Sequence, residues 1–505
     1  MSTEEARVAR GTLAQQAAQV VGALSMLVAL TVVGRHLSLD EFGVYGLLIT
    51  ISAYLMLLQT SIEGSTIRAI AGAVVGAPRE RLVTLALVLY IVAGIVAGAA
   101  IAGGGLLLVE VLPIPARLED ASRSGVLALG AVTAVGWPFK VFQDFLRGSQ
   151  RFLHASVGEV LAHLTMVTGM VALVASDAPL WALIALGGAL PVLIGIGSFV
   201  VLAVTRTLPR LRRDGIRREA ARDLLGFSAY LSAMGVADIL IYSLDRVILA
   251  AFTSTATVGL YEGAARPHHL VRQVHGTLSI TVFPVASAYA ADNDRYRLRE
   301  LLLRGTRYVH AAVVPLTVVL VVMAGPILDV WLGDEFREAG LAMAILTGYW
   351  LLNGATGVGG SMLGAAGAIR WMTAYAWAVA VGNVVCSVAF TAWLGLEGVM
   401  IGTVIPYLVA FPFFLRKAAR TFDVPLREIV AVALMPAWVV GAGLAAVLGA
   451  ARLALEPDTV IEVAGMALVA LGVAYAAWAA LFFGPEERRL VRSLLRREPR
   501  ADAVP

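Results

Sequence analysis

Leu82–Val111 reads LVTLALVLYIVAGIVAGAAIAGGGLLLVEV, thirty residues in which Glu110 is the one charged side chain. A helix that crosses a bilayer needs about 20 apolar residues, and this run exceeds that. In hydrocarbon every backbone N–H and C=O must bond inside the protein, which leaves helices and closed barrels as spanning forms. The stretch is rich in Leu, Ala and Val and does not alternate polar with apolar, so it is a helix and not a barrel strand.

The rest of the chain repeats this pattern. Of 505 residues 59% are hydrophobic, about 298, while 15% are charged, against about 25% in a soluble domain. Mean hydropathy is +0.82. A soluble enzyme is excluded. Apolar stretches of spanning length fall near residues 12–33, 44–64, 82–111, 125–145, 155–175, 179–204, 224–251, 258–289, 304–325, 339–362, 370–394, 398–415, 428–451 and 461–483. The expected fold is an all-α polytopic membrane protein with about fourteen transmembrane helices. The short polar stretch Met1–Arg10 has no clear cleavage site after it, so the first apolar run reads as a retained span and not a removed signal peptide. The single cysteine, Cys386, gives no disulfide framework.

Basic residues orient the spans. With the N-terminus inside, 31 of the 39 Lys and Arg fall in inner loops and tails, 5 in outer loops, and 3 (Arg246, Arg266, Arg272) within spans. Positive charge concentrates on the cytoplasmic side of membrane proteins, which predicts a multi-pass protein of the cytoplasmic membrane with both termini cytoplasmic. The inner loop Arg206–Arg222 alone carries seven arginines. The longest loops are about 20 residues, too short for an extramembrane catalytic domain. The tail Glu486–Arg500 sets Leu490, Val491, Leu494 and Leu495 among arginines, the pattern of a helix lying on an anionic leaflet.

An internal echo divides the chain. Ser38-Leu-Asp-Glu-Phe-Gly43-Val-Tyr45 resembles Thr253-Ser-Thr-Ala-Thr-Val-Gly259-Leu-Tyr261 at a shift of 216, and Arg151-Phe152 is echoed by Arg370-Trp371 at 219. This predicts a duplicated six-span unit whose copies share one orientation, related by an axis along the membrane normal. The organisation expected is an N-terminal six-helix bundle over 1–205, a cytoplasmic Arg-rich linker over 206–222, a second bundle over 223–420, two additional transmembrane helices over 421–484 and a basic tail over 485–505.

No motif supplies an engine. There is no P-loop, the Gly357–Gly364 cluster lacks a lysine, and none of the seven histidines sits in His-Glu-x-x-His. No cofactor, metal or nucleic-acid partner is expected, and the glycines, with Gly187-Gly188, suit close helix packing. Ionisable groups at depth are the informative feature, because each is costly in hydrocarbon and faces an interior or a cavity. At 1.5 Å per residue, Asp238 lies roughly 20 Å below the outer surface, Asp245 about 9 Å, Arg246 about 8 Å, Glu262 about 6 Å, Arg266 about 12 Å and Arg272 about 21 Å. The depths match in opposite-charge pairs: Arg246 with Glu262, Asp245 with Arg266, Asp238 with Arg272. Such a ladder would neutralise buried charge and lock a helical hairpin. Arg272 shares its helix with His268, His269 and His275, a mid-depth cationic patch suited to an anionic substrate such as a diphosphate. Glu159 and His163 form an i,i+4 pair, read as a local hydrogen bond or a proton relay. Glu63 and Arg68 lie near the inner end of their span, where snorkelling is cheap.

Several motifs together resemble one family. Gly34-Arg-His-Leu-Ser-Leu-Asp-Glu-Phe-Gly-Val-Tyr45, Leu146-Arg-Gly-Ser-Gln-Arg-Phe152, Leu244-Asp-Arg-Val-Ile-Leu-Ala-Ala-Phe252 with Val258-Gly-Leu-Tyr261, Val282-Phe-Pro284, Gly367 with Asn383, and Leu394-Gly-Leu-Glu-Gly398 are similar, in order over about residues 10–420, to polysaccharide (O-antigen type) flippases of the multidrug/oligosaccharidyl-lipid/polysaccharide exporter superfamily. The resemblance implies two six-helix bundles around a central cavity, alternating between inward- and outward-facing forms. It implies outward movement of an undecaprenyl-diphosphate-linked oligosaccharide, with membrane lipids and the polysaccharide polymerase and glycosyltransferase machinery as partners. In the related lipid II flippases the last two spans help form a groove for the lipid tail. Asp245, Arg246 and Arg266 match positions common in the family, which favours a structural role for them. Arg272 and the span-eight histidines lie outside that pattern, and Glu63 stands where small residues are usual. The residues expected to contact substrate are Arg272, Arg266, His269, His275, His163 and Glu159. A drug/cation antiporter of the same superfamily would instead show twelve spans and an acidic cavity, and a membrane-embedded transferase would need a catalytic carboxylate at an aqueous face and a substantial outer loop.

Overall fold

The computed structural model describes residues 3–212, 244–485 and 487–489. Asp238, residues 213–222 of the linker and most of the tail lie outside the described residues. Among the described residues the secondary structure is helical, with no strand. The first half runs α1 Thr3–His36, α2 Leu39–Gly72, α3 Ala77–Val111, α4 Ala116–Gly136, a 3-10 turn Trp137–Phe139, α5 Lys140–Gly148, α6 Phe152–Ala175, α7 Leu180–Gly187 and α8 Leu190–Val204. The start of α2 is fixed locally. Ser38 and Glu41 form a capping box, with Ser38 N–H donating to Glu41 Oε2 at 2.9 Å. Pro138 interrupts the ladder between α4 and α5, and α7 and α8 bend by 61° after Gly187.

The second half runs α9 Leu244–Phe252, α10 Thr255–Ile280, α11 Val282–Ala291, α12 Arg295–Val322, α13 Ala324–Leu332, a 3-10 turn Asp334–Ala339, α14 Gly340–Gly348, α15 Trp350–Asn353, α16 Thr356–Ala365, α17 Ile369–Phe422, α18 Leu426–Glu428, a π-helical stretch Ile429–Leu434, α19 Met435–Leu455 and α20 Val460–Phe482. Eight helices of the described residues are long and apolar enough to cross a membrane, or ten if each bent pair is one span. Most of the difference from fourteen has local causes, the stretch 44–64 on α2 also falling outside the count. The stretch 224–251 is described only from Leu244, and 258–289 is two helices meeting at Thr281, the longer carrying Glu262, Arg266 and Arg272. The stretches 370–394 and 398–415 run together as α17, which turns at Gly395 (φ 57°, ψ −121°). Only glycine adopts that backbone without strain. Beyond the turn a Cβ on Gly398 would lie 2.1 Å from the Phe390 carbonyl and one on Gly402 2.4 Å from Ser387 Cα, so the chain folds back on itself in backbone contact.

The chain divides into two compact units, Met1–Gly263 with Ala380–Gly402, and Ala264–Val379 with Thr403–Pro505. This division differs from the limits 1–205 and 223–420 read from the sequence, because α9 and the start of α10 pack with the N-terminal helices. In the first unit Ile62, Ile70, Val83, Ala86, Tyr90, Trp137, Val141 and Val192 form one core between α2, α3, α5 and α8. There the two echoing motifs touch. A Cβ on Gly43 would lie 1.8 Å from the Thr255 carbonyl, and one on Gly259 would lie 2.3 Å from that of Leu39. Thr255 Oγ1 donates to Asp40 Oδ1 at 2.5 Å beside this contact. In the second unit Val314, Val318, Met323, Val440, Leu444, Val463 and Trp478 join α12, α19 and α20 in a single core. The last two spans are thus built into that unit.

Candidate functional site

Three polar regions interrupt these apolar cores. On α9 and α10 the Arg246 guanidinium Nε–H donates to Glu262 Oε1, with side-chain exposures of 10% and 1%. The same guanidinium sits 5.5 Å from the centre of the Tyr261 ring. Asp245 is 1% exposed and accepts from Tyr261 Oη at 3.3 Å and Ser387 Oγ at 3.4 Å. Gly46 makes room for the pair, since a Cβ there would lie 2.4 Å from Glu262 Cγ. A buried ion pair gripped this way holds helices in register, and removing one partner strands the other. The structure brings together Arg246 and Glu262, as their depths predict. The Asp238 pairing falls outside the described residues, and the boundary between units falls inside α10, between Gly263 and Ala264.

In the second unit, α10 presents His268, Arg272, His275 and Ser279 at helical spacing. His268 is 1% exposed, stacks on Tyr349 (centroids 5.3 Å apart, 28°), and receives the Trp350 indole N–H on Nδ1 at 3.1 Å. The same Nδ1 lies 3.3 Å from the Leu346 carbonyl oxygen. Tyr349 stacks in turn on Tyr407 at 5.0 Å. His275 packs on Trp350 at 4.9 Å. Arg266, His269 and Arg272 are half-buried, His269 with its ring 5.2 Å from that of His268. Below them His275 Nε2, Ser279 Oγ and both ring nitrogens of His310 are buried without a hydrogen-bond partner among the described residues. Gly357 of the Gly357–Gly364 cluster allows α16 to approach this spot, because a Cβ there would lie 2.0 Å from Ser279 Oγ and 2.4 Å from His275 Nε2. The sequence points to the helix but gives no sign of His310, which α12 contributes from the far side.

The third region was largely missed by sequence reasoning. Glu63 of α2, Lys140, Gln143, Asp144 and Arg147 of α5, Glu159 of α6 and Tyr90 of α3 form one polar cluster in the first unit. Arg147 bridges two carboxylates, Nη1 to Glu63 Oε1 at 2.5 Å and Nη2 to Glu159 Oε1 at 2.6 Å. Lys140 Nζ lies 3.3 Å from Glu63 Oε2 and donates to Gln143 Oε1, while Gln143 Nε2 donates to Glu159 Oε1 at 2.8 Å. Tyr90 Oη donates to Asp144 Oδ2 at 2.7 Å. Glu63 does not snorkel: it is 15% exposed and held by two cations. Nor does Glu159 bond His163. Its carboxylate turns to Arg147 because a charge-assisted bond outcompetes a neutral one, and His163 packs against Gly22 of α1, 2.7 Å from where a Cβ would stand. The signal was the spacing Lys140, Gln143, Asp144, Arg147, one polar helical face at the end of an apolar run. A cavity of about 300 Å³ lined by Gln15, Arg147, Gln150, Ser156 and Glu159 adjoins the cluster. Among the described residues no three His, Cys, Asp or Glu side chains converge as metal ligands.

Comparison with known proteins bears on these arrangements. The profile of a family described as polysaccharide biosynthesis protein matches residues 32–340. A probable flippase, AglR, of Haloferax volcanii is 25% identical over 341 residues, 68% of each chain. Among solved structures, the lipid II flippase MurJ in an inward closed conformation aligns with a TM-score of 0.68 at 13% identity, over 95% of this chain and 99% of its own. An inward-facing multidrug resistance MATE family transporter of the MOP superfamily aligns with a TM-score of 0.66 at 16% identity, over 80% and 96%. At these identities the structural matches establish the fold.

Proposed function

The chain belongs to the polysaccharide biosynthesis protein family, a family of flippases of the multidrug/oligosaccharidyl-lipid/polysaccharide exporter superfamily, and from that premise we propose that it flips an undecaprenyl-diphosphate-linked oligosaccharide outward across the cytoplasmic membrane. The observation that carries the substrate class is the face of α10 on which Arg272 stands between His268 and His275, beside Trp350. A planar guanidinium donates paired hydrogen bonds to phosphate oxygens, and Arg272 is half-buried and able to meet them. His269 and Arg266 lie on the neighbouring turns as further donors. The polyprenyl tail stays in lipid, while diphosphate and sugar hydroxyls are shielded from hydrocarbon inside the protein.

Alternating access follows from differential binding: the substrate shifts an inward/outward equilibrium only by its difference in affinity for the two forms. The polymerase and glycosyltransferase machinery would supply and consume the lipid-linked glycan, and both termini would face the cytoplasm. The relatives point to a transporter and not an enzyme, and the short loops agree. Depletion tests the reading directly. Mass spectrometry should show an inward-facing lipid-diphosphate oligosaccharide accumulating; an unchanged level, together with ion-driven dye efflux from vesicles, would replace it with the drug/cation antiporter.

A further inference from the structure

The cluster on α5 has one more anion than cation. Glu63 and Glu159 are matched by Lys140 and Arg147, which touch them. Asp144 is extra. It is 0% exposed, its Oδ2 receives only the neutral Tyr90 hydroxyl, and its Oδ1 has no partner among the described residues. The groups facing it are Tyr90 from α3, Glu63 from α2, and Lys140 and Arg147 from its own helix. Glu159 of α6 reaches it through Arg147, and α8, packed along the other side of α5, brings no ionisable side chain. A fully buried carboxylate that accepts only a neutral hydroxyl, beside two cations already engaged by Glu63 and Glu159, is costly to keep charged.

We propose that Asp144 is the seat of an exchangeable proton that drives the transport cycle, an inference that rests on the transporter reading above. Lys140 and Arg147 stand four residues before and three after Asp144, on one helical face. With the proton on Asp144, both cations are free to clamp Glu63 of α2 and Glu159 of α6 to α5. When the O–H bond breaks and the proton leaves to water, the new carboxylate competes for those same cations. The grip on α2 and α6 then loosens. The cavity of about 300 Å³ beside the cluster is lined by Arg147 and Glu159, the two groups whose grip would change.

Infrared difference spectroscopy of the full-length protein in lipid nanodiscs tests the site without substrate. A pH titration at fixed sodium should reveal a carboxylic-acid carbonyl band that disappears on alkalinisation, is lost in Asp144→Asn, and shifts in Tyr90→Phe, which removes its hydrogen bond. The Asp144→Asn amide keeps the shape and the acceptor for Tyr90; if that variant nevertheless fails to fold, the Tyr90→Phe shift decides alone. A band unchanged in both variants, or one that follows sodium at constant pH, overturns the proton site. Cells exporting glycan with Asp144→Asn should lose the dependence of export on external pH that wild type shows. Wild-type export indifferent to pH, with the band intact, would overturn the coupling and leave the site. Failure of the glycan to accumulate on depletion would overturn the substrate reading and leave the spectrum untouched.

Discussion

Removing Arg147 should be the most informative single perturbation of the first unit. Its guanidinium bonds Glu63 at 2.5 Å and Glu159 at 2.6 Å, and hydrogen bonds to charged groups contribute about 1.5–3 kcal/mol each. Glu63 would keep Lys140, whereas Glu159 would keep only the neutral Gln143. Stranding a buried charge costs about 3–5 kcal/mol; because Arg147 is 29% exposed, water softens the loss, and the low end, about 3 kcal/mol, is expected for Arg147→Ala. Arg147→Lys supplies a point charge that reaches one carboxylate and not both, so about half that loss follows. Adding Glu159→Gln to Arg147→Ala removes the stranded charge and should return about 1 kcal/mol or more. Denaturant unfolding in mixed micelles, read as a double-mutant cycle, measures all three. If Arg147→Ala stays within about 0.5 kcal/mol of wild type, or Glu159→Gln destabilises the Arg147→Ala variant further, the cluster does not hold α5 to α2 and α6 as described.

Arg246→Met should cost about 3–5 kcal/mol by removing the guanidinium that bonds the buried Glu262, whereas Arg246→Met with Glu262→Met should lie close to wild type, since an apolar pair of similar volume replaces a buried ion pair with little loss; the same micelle unfolding assay reads both. Arg272→Ala should raise the inward-facing lipid-linked glycan without lowering the amount of folded protein, and normal export would remove α10 from the substrate path. Gly357→Ala places a Cβ 2.0 Å from Ser279 Oγ and should cost about 1–3 kcal/mol as overpacking, partly relieved by Ser279→Ala. Outside the spans, the Tyr308 hydroxyl holds the Glu487 carboxyl below its ordinary value. A depressed folded value gives stability that is fully present above the ordinary glutamate value and lost as pH falls from there through the lower folded value, so acidification should release Glu487 from α12, detectable as a change in Trp478 fluorescence.

Much of the fold was legible because a bilayer leaves few choices. Apolar runs gave the helices, and equal depth along neighbouring helices was enough to pair Arg246 with Glu262. The cluster on α5 escaped because the same rule that orients spans also hides it. Lys140 and Arg147 at the end of an apolar run look like ordinary inner-side charge, and nothing in their own segment shows that Glu63 and Glu159 come to meet them. Glu63 is hidden for a related reason: nothing in α2 itself shows that Lys140 and Arg147 of α5 come to meet it. The fold-back of α17 rests on Gly395, one glycine among 50, and its positive φ is a property of the folded backbone. His310 and His275 are brought near each other by helix packing, which no spacing of 35 residues announces.

The echo at a shift of 216 has a physical meaning that the sequence alone does not give. Adding 216 to Leu39 gives Thr255, and to Gly43 gives Gly259. Gly43 lies against the Thr255 carbonyl while Gly259 lies against the Leu39 carbonyl, so the two contacts exchange under the shift, as contacts across a two-fold interface must. Residues that touch their own counterparts lie on the axis, and two do: the Gly43 Cβ position is 2.9 Å from Gly259 N, and the Gly46 position is 2.4 Å from Glu262 Cγ. A side chain on such an axis meets its own image, so both partners must be small, as at Gly43 and Gly259, or one must yield, as Gly46 yields to Glu262. At Gly43 and Gly259 both echoing segments need the missing side chain to touch, and at Gly46 the space is taken by Glu262, which enters there to pair with Arg246.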